Sequence, residues 1–145
     1  MPVSGIKLAD ANVWLANAAD AHRHHLQARN WFNAQSDASC AFCRITQLAL
    51  LRHLTNSRIM GENVVTQVDA WAAYDQLRND PRVIFLHEPP GLDGMFRNLT
   101  QAESPVHDRW TDGYLAAFAG VGGHQLVTFD TGFRRFTAID VLVLQ

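Results

Sequence analysis

Apolar positions recur along the chain with two different periods, and the alternation between them lays out a series of strands and helices. Gly5 to Ala9 reads as a short strand, with a helix opening around Ala11. A long amphipathic helix is expected from Asp20 to Gln35, with Asp20 as its N-cap. SCAFC reads as a second strand, and ITQLALLRHLT as a helix whose Leu48, Leu51 and Leu54 fall at helical spacing. The turn-like NSRIMGEN leads into a helix in VTQVDAWAAYDQLRND, stopped by Asn79, Asp80 and Pro81. RVIFL is a β-rich run, HEPPGLDG a loop, and Met95 to Thr100 a short helix. A helix in HDRWTDGYLAAFAGVGG ends at Gly122 and Gly123, and the strands QLVTF and VLVL follow.

Strands alternating with helices imply a three-layer α/β/α domain with a mostly parallel central sheet. The 145 residues, 48% of them hydrophobic, suffice for one core, so residues 1–145 are expected to form a single domain. No apolar run approaches the roughly 20 residues that span a bilayer, and the N-terminus lacks the charged-then-apolar pattern of a secretion signal. A cytosolic protein with no membrane association is expected.

Cys40 and Cys43 form a CxxC spacing, but no second pair completes four ligands. In a buried strand an offset of three puts them on opposite faces, which favours a packing role over metal or redox chemistry. The net charge of −2 excludes a basic arm that grips nucleic acid through bulk charge. The 12 basic residues nevertheless include only one lysine, Lys7. Arginine is the side chain that forks onto phosphates and stacks on bases.

In parallel sheets, ligands collect beyond the carboxyl ends of the strands. Asp10 sits where the first strand ends and Asp130 where QLVTF ends, so both point to the same rim. Thr128, two residues before Asp130, shares its face if the strand continues, with the hydroxyl backing that carboxylate. Asp112 lies three before Leu115 and seven before Ala119, on the inward face of the first helical turn, where the helix dipole favours negative charge. Asp108, one turn earlier, reads either as a further functional acid or as the helix N-cap. Inward carboxylates from distant parts of the chain repel strongly unless a cation lies among them. An all-oxygen set suits Mg²⁺ or Mn²⁺, and the chemistry that follows is metal-assisted phosphodiester hydrolysis. His22, His24 and His25 do not aim at one point and are expected to be solvated at the exposed start of their helix.

LADANVWLA, HRHHLQARNWF, RITQLALLRHLTN, TDGYLAAFA and VTFDTGF occur in that order over nearly the whole chain. Together they resemble the PIN-domain ribonucleases, specifically the VapC toxins of type II toxin–antitoxin pairs. The resemblance implies a PIN-like fold and a Mg²⁺- or Mn²⁺-dependent endoribonuclease acting on RNA. It further implies a homodimer, and a small VapB-like antitoxin that covers the acidic cleft. It matches Asp10, Asp112 and Asp130 to the family's metal-binding catalytic aspartates, Asn12 to a polar neighbour of the first, and Thr128 to a hydroxyl that helps hold the site. Gln47 stands where many relatives carry Glu. Facing inward with Leu51 and Leu54, it is a weaker metal partner, which leaves one or two bound ions open. Arg52 reads either as a phosphate or site-organising contact, on the resemblance, or as a member of a helix-surface salt bridge.

Two other readings differ in class. Transfer through an aspartyl phosphate also places acids at strand ends, but it calls for a lysine late in the chain, and the only lysine is Lys7. A non-enzymatic reading keeps the fold and lets Gln47 weaken the site, leaving a PIN domain that binds RNA or antitoxin without cutting. Trp14, Trp31, Phe32, Trp71 and Trp110 offer apolar area for a dimer face. The choice of RNA is expected to rest on surface loops at Asn56 to Asn63 and His87 to Gly94.

Overall fold

The computed structural model describes residues 3–145. Five strands form one sheet in the order β3-β2-β1-β4-β5, every neighbouring pair parallel: β1 Lys7–Ala9, β2 Cys40–Phe42, β3 Val83–Phe85, β4 Gln125–Thr128 and β5 Val141–Val143. The helices are α1 Ala11–Ala18, α2 His25–Asn33, α3 Arg44–Leu54, α4 Ser57–Met60, α5 Gln67–Arg78, α6 Leu92–Thr100 and α7 Trp110–Gly122. Short 3₁₀ turns occupy Gly61–Asn63 and Thr131–Arg135.

The strands are apolar on both faces, as a sheet covered on both sides requires. Ala9, Cys40, Phe42, Val83 and Val127 face a core built with α1, α2, α3 and α5, in which Trp14 stacks on Phe42 with ring centroids 4.1 Å apart. Leu8, Ala41 and Leu126 face the opposite core, closed by α6, α7 and the segment carrying Phe133, Phe136 and Ile139. This is the expected α/β/α sandwich. Cys40 and Cys43 fall in different cores, both as free buried thiols, in line with a packing role. The outer layer is held tight at Gly113, where an added Cβ would stand 2.3 Å from the Thr100 methyl group of α6.

The strand order places a functional crevice. From β1 the chain builds outward through β2 and β3, then returns to lay β4 on the other side of β1 and β5 beyond it. The order therefore reverses between β1 and β4, and the carboxyl ends of those two strands flank the crevice where parallel α/β sheets bind ligands.

Several local expectations are corrected. The long helix from Asp20 is only α2, opening at His25 with His24 at the N-cap, and Asp20 caps nothing. Successive turn bonds, His22 N to Ala19 O and His25 N to His22 O, fold the preceding segment back on itself, and the His25 ring meets Ala16 O at 2.7 Å. The three histidines are thereby half-buried, not solvated. In α3 the buried face is Thr46, Gln47, Leu50 and Leu54, while Leu48 is 50% exposed: the i, i+3, i+7 stripe beginning at Gln47 faces the sheet. NSRIMGEN is helical, because the Asn56 side chain caps α4 by accepting from Arg58 N at 3.0 Å. The loop from His87 is shorter than expected, since α6 starts at Leu92.

Candidate active site

Asp10 ends the first strand and serves as the N-cap of α1, accepting from Ala11 N through Oδ1 at 2.7 Å. Its Oδ2 accepts from the Thr128 hydroxyl at 2.8 Å, across the β1–β4 crevice. β4 stops at Thr128, so its hydroxyl donates to Asp10 and only receives the backbone N–H of Asp130, at 3.0 Å. Asn12 closes the frame: its Nδ2 reaches Thr128 Oγ1 at 3.4 Å and its Oδ1 accepts from Phe129 N at 3.2 Å. One buried hydroxyl thus ties the ends of both strands to the first carboxylate.

Asp130 is exposed at the end of this bridge, where its Oδ1 caps the following 3₁₀ turn by accepting from Gly132 N at 2.8 Å. Asp112 lies in the first turn of α7 with its side chain 30% exposed, on the inward side as expected. Its Oδ2 meets Arg135 Nη2 at 3.3 Å. Arg135 also donates to Gly132 O at 2.7 Å and lies over the Phe136 ring, so the same turn that holds Asp130 aims a guanidinium at Asp112.

The electrostatics show three acids sharing one region. Burial, with the charges of Asp112 and Asp130 adding to it, pushes the Asp10 carboxyl up to about 6, against the opposing pull of the Thr128 hydroxyl and the Ala11 amide. Burial also raises Asp112; Arg135 opposes this, while the charges of Asp130 and Asp108 add to it. One guanidinium faces three carboxylates, which leaves the region short of positive charge. Among the described residues no three His, Cys, Asp or Glu side chains come together as a metal-ligand group, so the convergence expected of Asp10, Asp112 and Asp130 is not drawn tight. The donors themselves are hard carboxylate oxygens on three rigid elements, a set whose chemistry fits a divalent ion that keeps part of its water shell.

The other sequence candidates fall further out. Gln47 is buried as expected, and its Oε1 accepts from Arg44 Nη1. Asp108 is exposed, and Arg109 occupies the N-cap position of α7, so the capping option for Asp108 does not hold. Arg52 is exposed in the last turn of α3, about 12 Å along the axis from Arg44, and it forms no ion pair among the described residues. The helix-surface salt bridge offered for Arg52 is therefore not formed among the described residues. Arg135 was not legible as a site residue; its only signal in sequence is a pair of arginines following the turn DTGF.

Comparison with known proteins decides the family. The chain is 40% identical over 142 residues to ribonuclease VapC41 of Mycobacterium tuberculosis, covering 94% of this chain and 97% of VapC41. The chain belongs to the VapC family of ribonucleases. No protein-family model matches it. The fold agrees with solved VapC structures, although at low identity. Mycobacterium tuberculosis VapC20, a sarcin-ricin loop cleaving toxin, superposes with a TM-score of 0.69 at 17% identity over 96% of this chain and 99% of that one. VapBC2 from Rickettsia felis, bound to a promoter DNA fragment, gives 0.69 at 12% identity over 97% and 99%. The parallel sheet and two helical layers are those of the PIN-like fold. No helix of the described residues is long and apolar enough to cross a membrane.

Proposed function

We propose that this VapC-family protein is a Mg²⁺- or Mn²⁺-dependent endoribonuclease that hydrolyses RNA phosphodiester bonds with Asp10, Asp112 and Asp130. The reading is supported by the Asp10 carboxylate at the β1–β4 crevice, held at both oxygens by Ala11 and Thr128 and near enough to Asp112 and Asp130 for their charges to raise its pKa. The three aspartates would hold the ion. When bound, it supplies Lewis-acid stabilisation of phosphate charge and lowers the pKa of an attacking water.

The chain supplies the remainder. Thr128 and Asn12 lock the direction of the Asp10 carboxylate, so little rotamer freedom is lost when the site loads. A partly buried Asp10 gives up its proton reluctantly without a cation, so its burial favours the loaded state. Arg135 is a positive group beside the acids, suited to meet a phosphate oxygen once Asp112 is engaged elsewhere. The proposed ion rests on Asp10, Asp112 and Asp130 and not on Gln47, whose Oε1 accepts from Arg44.

A VapB-like antitoxin is the proposed protein partner, supported by the likeness of this fold to VapBC2 of Rickettsia felis. A homodimer is proposed from the exposed apolar side chains Leu48, Ile59, Val64, Val68 and Trp71, which lie on α3, α4, α5 and the connection that leads into α5. The chemistry is tested by the RNA ends produced. Hydrolysis by water leaves no 2′,3′-cyclic phosphate and tolerates a 2′-deoxy substitution at the cleaved linkage. A cyclic phosphate product would show attack by the RNA's own 2′-hydroxyl and overturn the proposed mechanism.

A further inference from the structure

Beside the carboxylates opens a hollow of about 590 Å³, between the loop that joins α6 to α7 and the segment after β4. Arg135 lines it and at the same time contacts Asp112, so the hollow and the acidic crevice are continuous through one side chain. Its wall carries a second guanidinium, Arg109, the amides of Asn98 and Gln101, and Trp110; Glu103 is its only acid. Trp110 is 57% exposed although it belongs to a helix, braced against Phe96 with ring centroids 6.2 Å apart. It also lines a second hollow on the α6 side, together with Arg97.

The geometry points to this hollow as the subsite for one unstacked nucleotide of a single-stranded RNA, next to the linkage that is cut. This rests on the ribonuclease reading above. Trp110 supplies the stacking surface, Arg109 and Arg135 take the phosphates, and the two amides face the edge of the base. Arg109, which forms no ion pair among the described residues, and Arg135, shared with Asp112, stand against one glutamate in this wall, which suits a phosphate-bearing chain over an apolar ligand, and the exposed Trp110 face selects a base over an acidic peptide side chain. An exposed aromatic flanked by guanidiniums is the arrangement by which single strands are held, because every base has a π-face.

The test is binding without cleavage. Full-length protein in EDTA is titrated into a fluorescein-labelled random-sequence single-stranded RNA of ten nucleotides, and folding of each variant is checked by its melting curve. Trp110→Ala should weaken binding about ten- to a hundred-fold, and Trp110→Phe should restore most of it. Arg109→Gln should lower the slope of log affinity against log salt by about 0.7, a change that Trp110→Ala should not produce. Tight RNA binding by a folded Trp110→Ala variant, equal to the unsubstituted protein's, would overturn the subsite while leaving the ribonuclease reading intact. Unchanged RNA binding with loss of antitoxin affinity would assign the hollow to the protein partner and overturn it as well. Failure of the unsubstituted protein to bind or cut any RNA would overturn the ribonuclease reading, and the subsite with it.

Discussion

The Thr128 hydroxyl donates to Asp10 Oδ2 at 2.8 Å while accepting the Asp130 backbone N–H at 3.0 Å, so one side chain sets the relative positions of two acids 120 residues apart. A hydrogen bond to a charged group contributes about 1.5–3 kcal/mol. Thr128→Val should therefore cut kcat/KM by roughly ten- to a hundred-fold at fixed Mg²⁺. Because this bond lowers the Asp10 pKa, its loss should also move the acid limb of the pH–rate profile upward. Thr128→Ser should behave nearly as the parent. A valine variant of full activity would show that the hydroxyl has no positioning role.

Asp10 should cost the metal-free protein stability. Its folded pKa of about 6 lies above the ordinary 3.8, so the folded state binds the extra proton. Stability is then lost as pH rises from about 4 to 6 and stays lowered above that, by at most about 3 kcal/mol. In EDTA, Asp10→Asn should melt higher than the parent at pH 8 and at nearly the same temperature at pH 4. A variant less stable at pH 8 than at pH 4, relative to the parent, would contradict the burial argument.

Arg135 competes with a cation for Asp112. A partly exposed pair of this kind contributes about 0–1 kcal/mol, so Arg135→Gln should tighten Mn²⁺ binding by up to roughly five-fold in calorimetric titration. Weaker Mn²⁺ binding would show that Arg135 supports the carboxylates instead of neutralising them.

Gly113→Ala should destabilise the α6–α7 contact, since the new methyl group would meet the Thr100 methyl at 2.3 Å and the Thr100 hydroxyl is tied to Phe96 O. A cost of about 1–3 kcal/mol corresponds to a melting point lower by roughly 2–12 °C. Adding Thr100→Ser, which deletes that methyl, should recover most of the loss. An additive double variant would place the strain elsewhere.

Much of this arrangement was legible before the fold. The apolar periods placed β1 and β4, and Asp10 and Asp130 follow from standing one and two residues past strand ends. What spacing cannot give is direction. Thr128 shares a two-residue offset with Asp130, yet the strand ends at Thr128 and its hydroxyl turns across the crevice to Asp10. Leu48, Leu51 and Leu54 repeat as well as the stripe that is buried, and only the sheet's position selects Leu50 and Leu54. Arg135 belongs to the site through the 3₁₀ turn after Asp130, a tertiary placement with no periodic trace in sequence. The segment from Asp20 to His24 looked helical because turn bonds and helix bonds draw on the same polar residues.

Metal-dependent hydrolysis by Asp10, Asp112 and Asp130 can be measured by incubating purified protein and its Asp10→Ala and Asp112→Ala variants with structured RNA, with Mg²⁺ or Mn²⁺ and then with excess EDTA. The parent should cleave with either ion, and EDTA and each substitution should reduce cleavage by at least about a hundred-fold. Undiminished cleavage in EDTA, or by both variants, would contradict it.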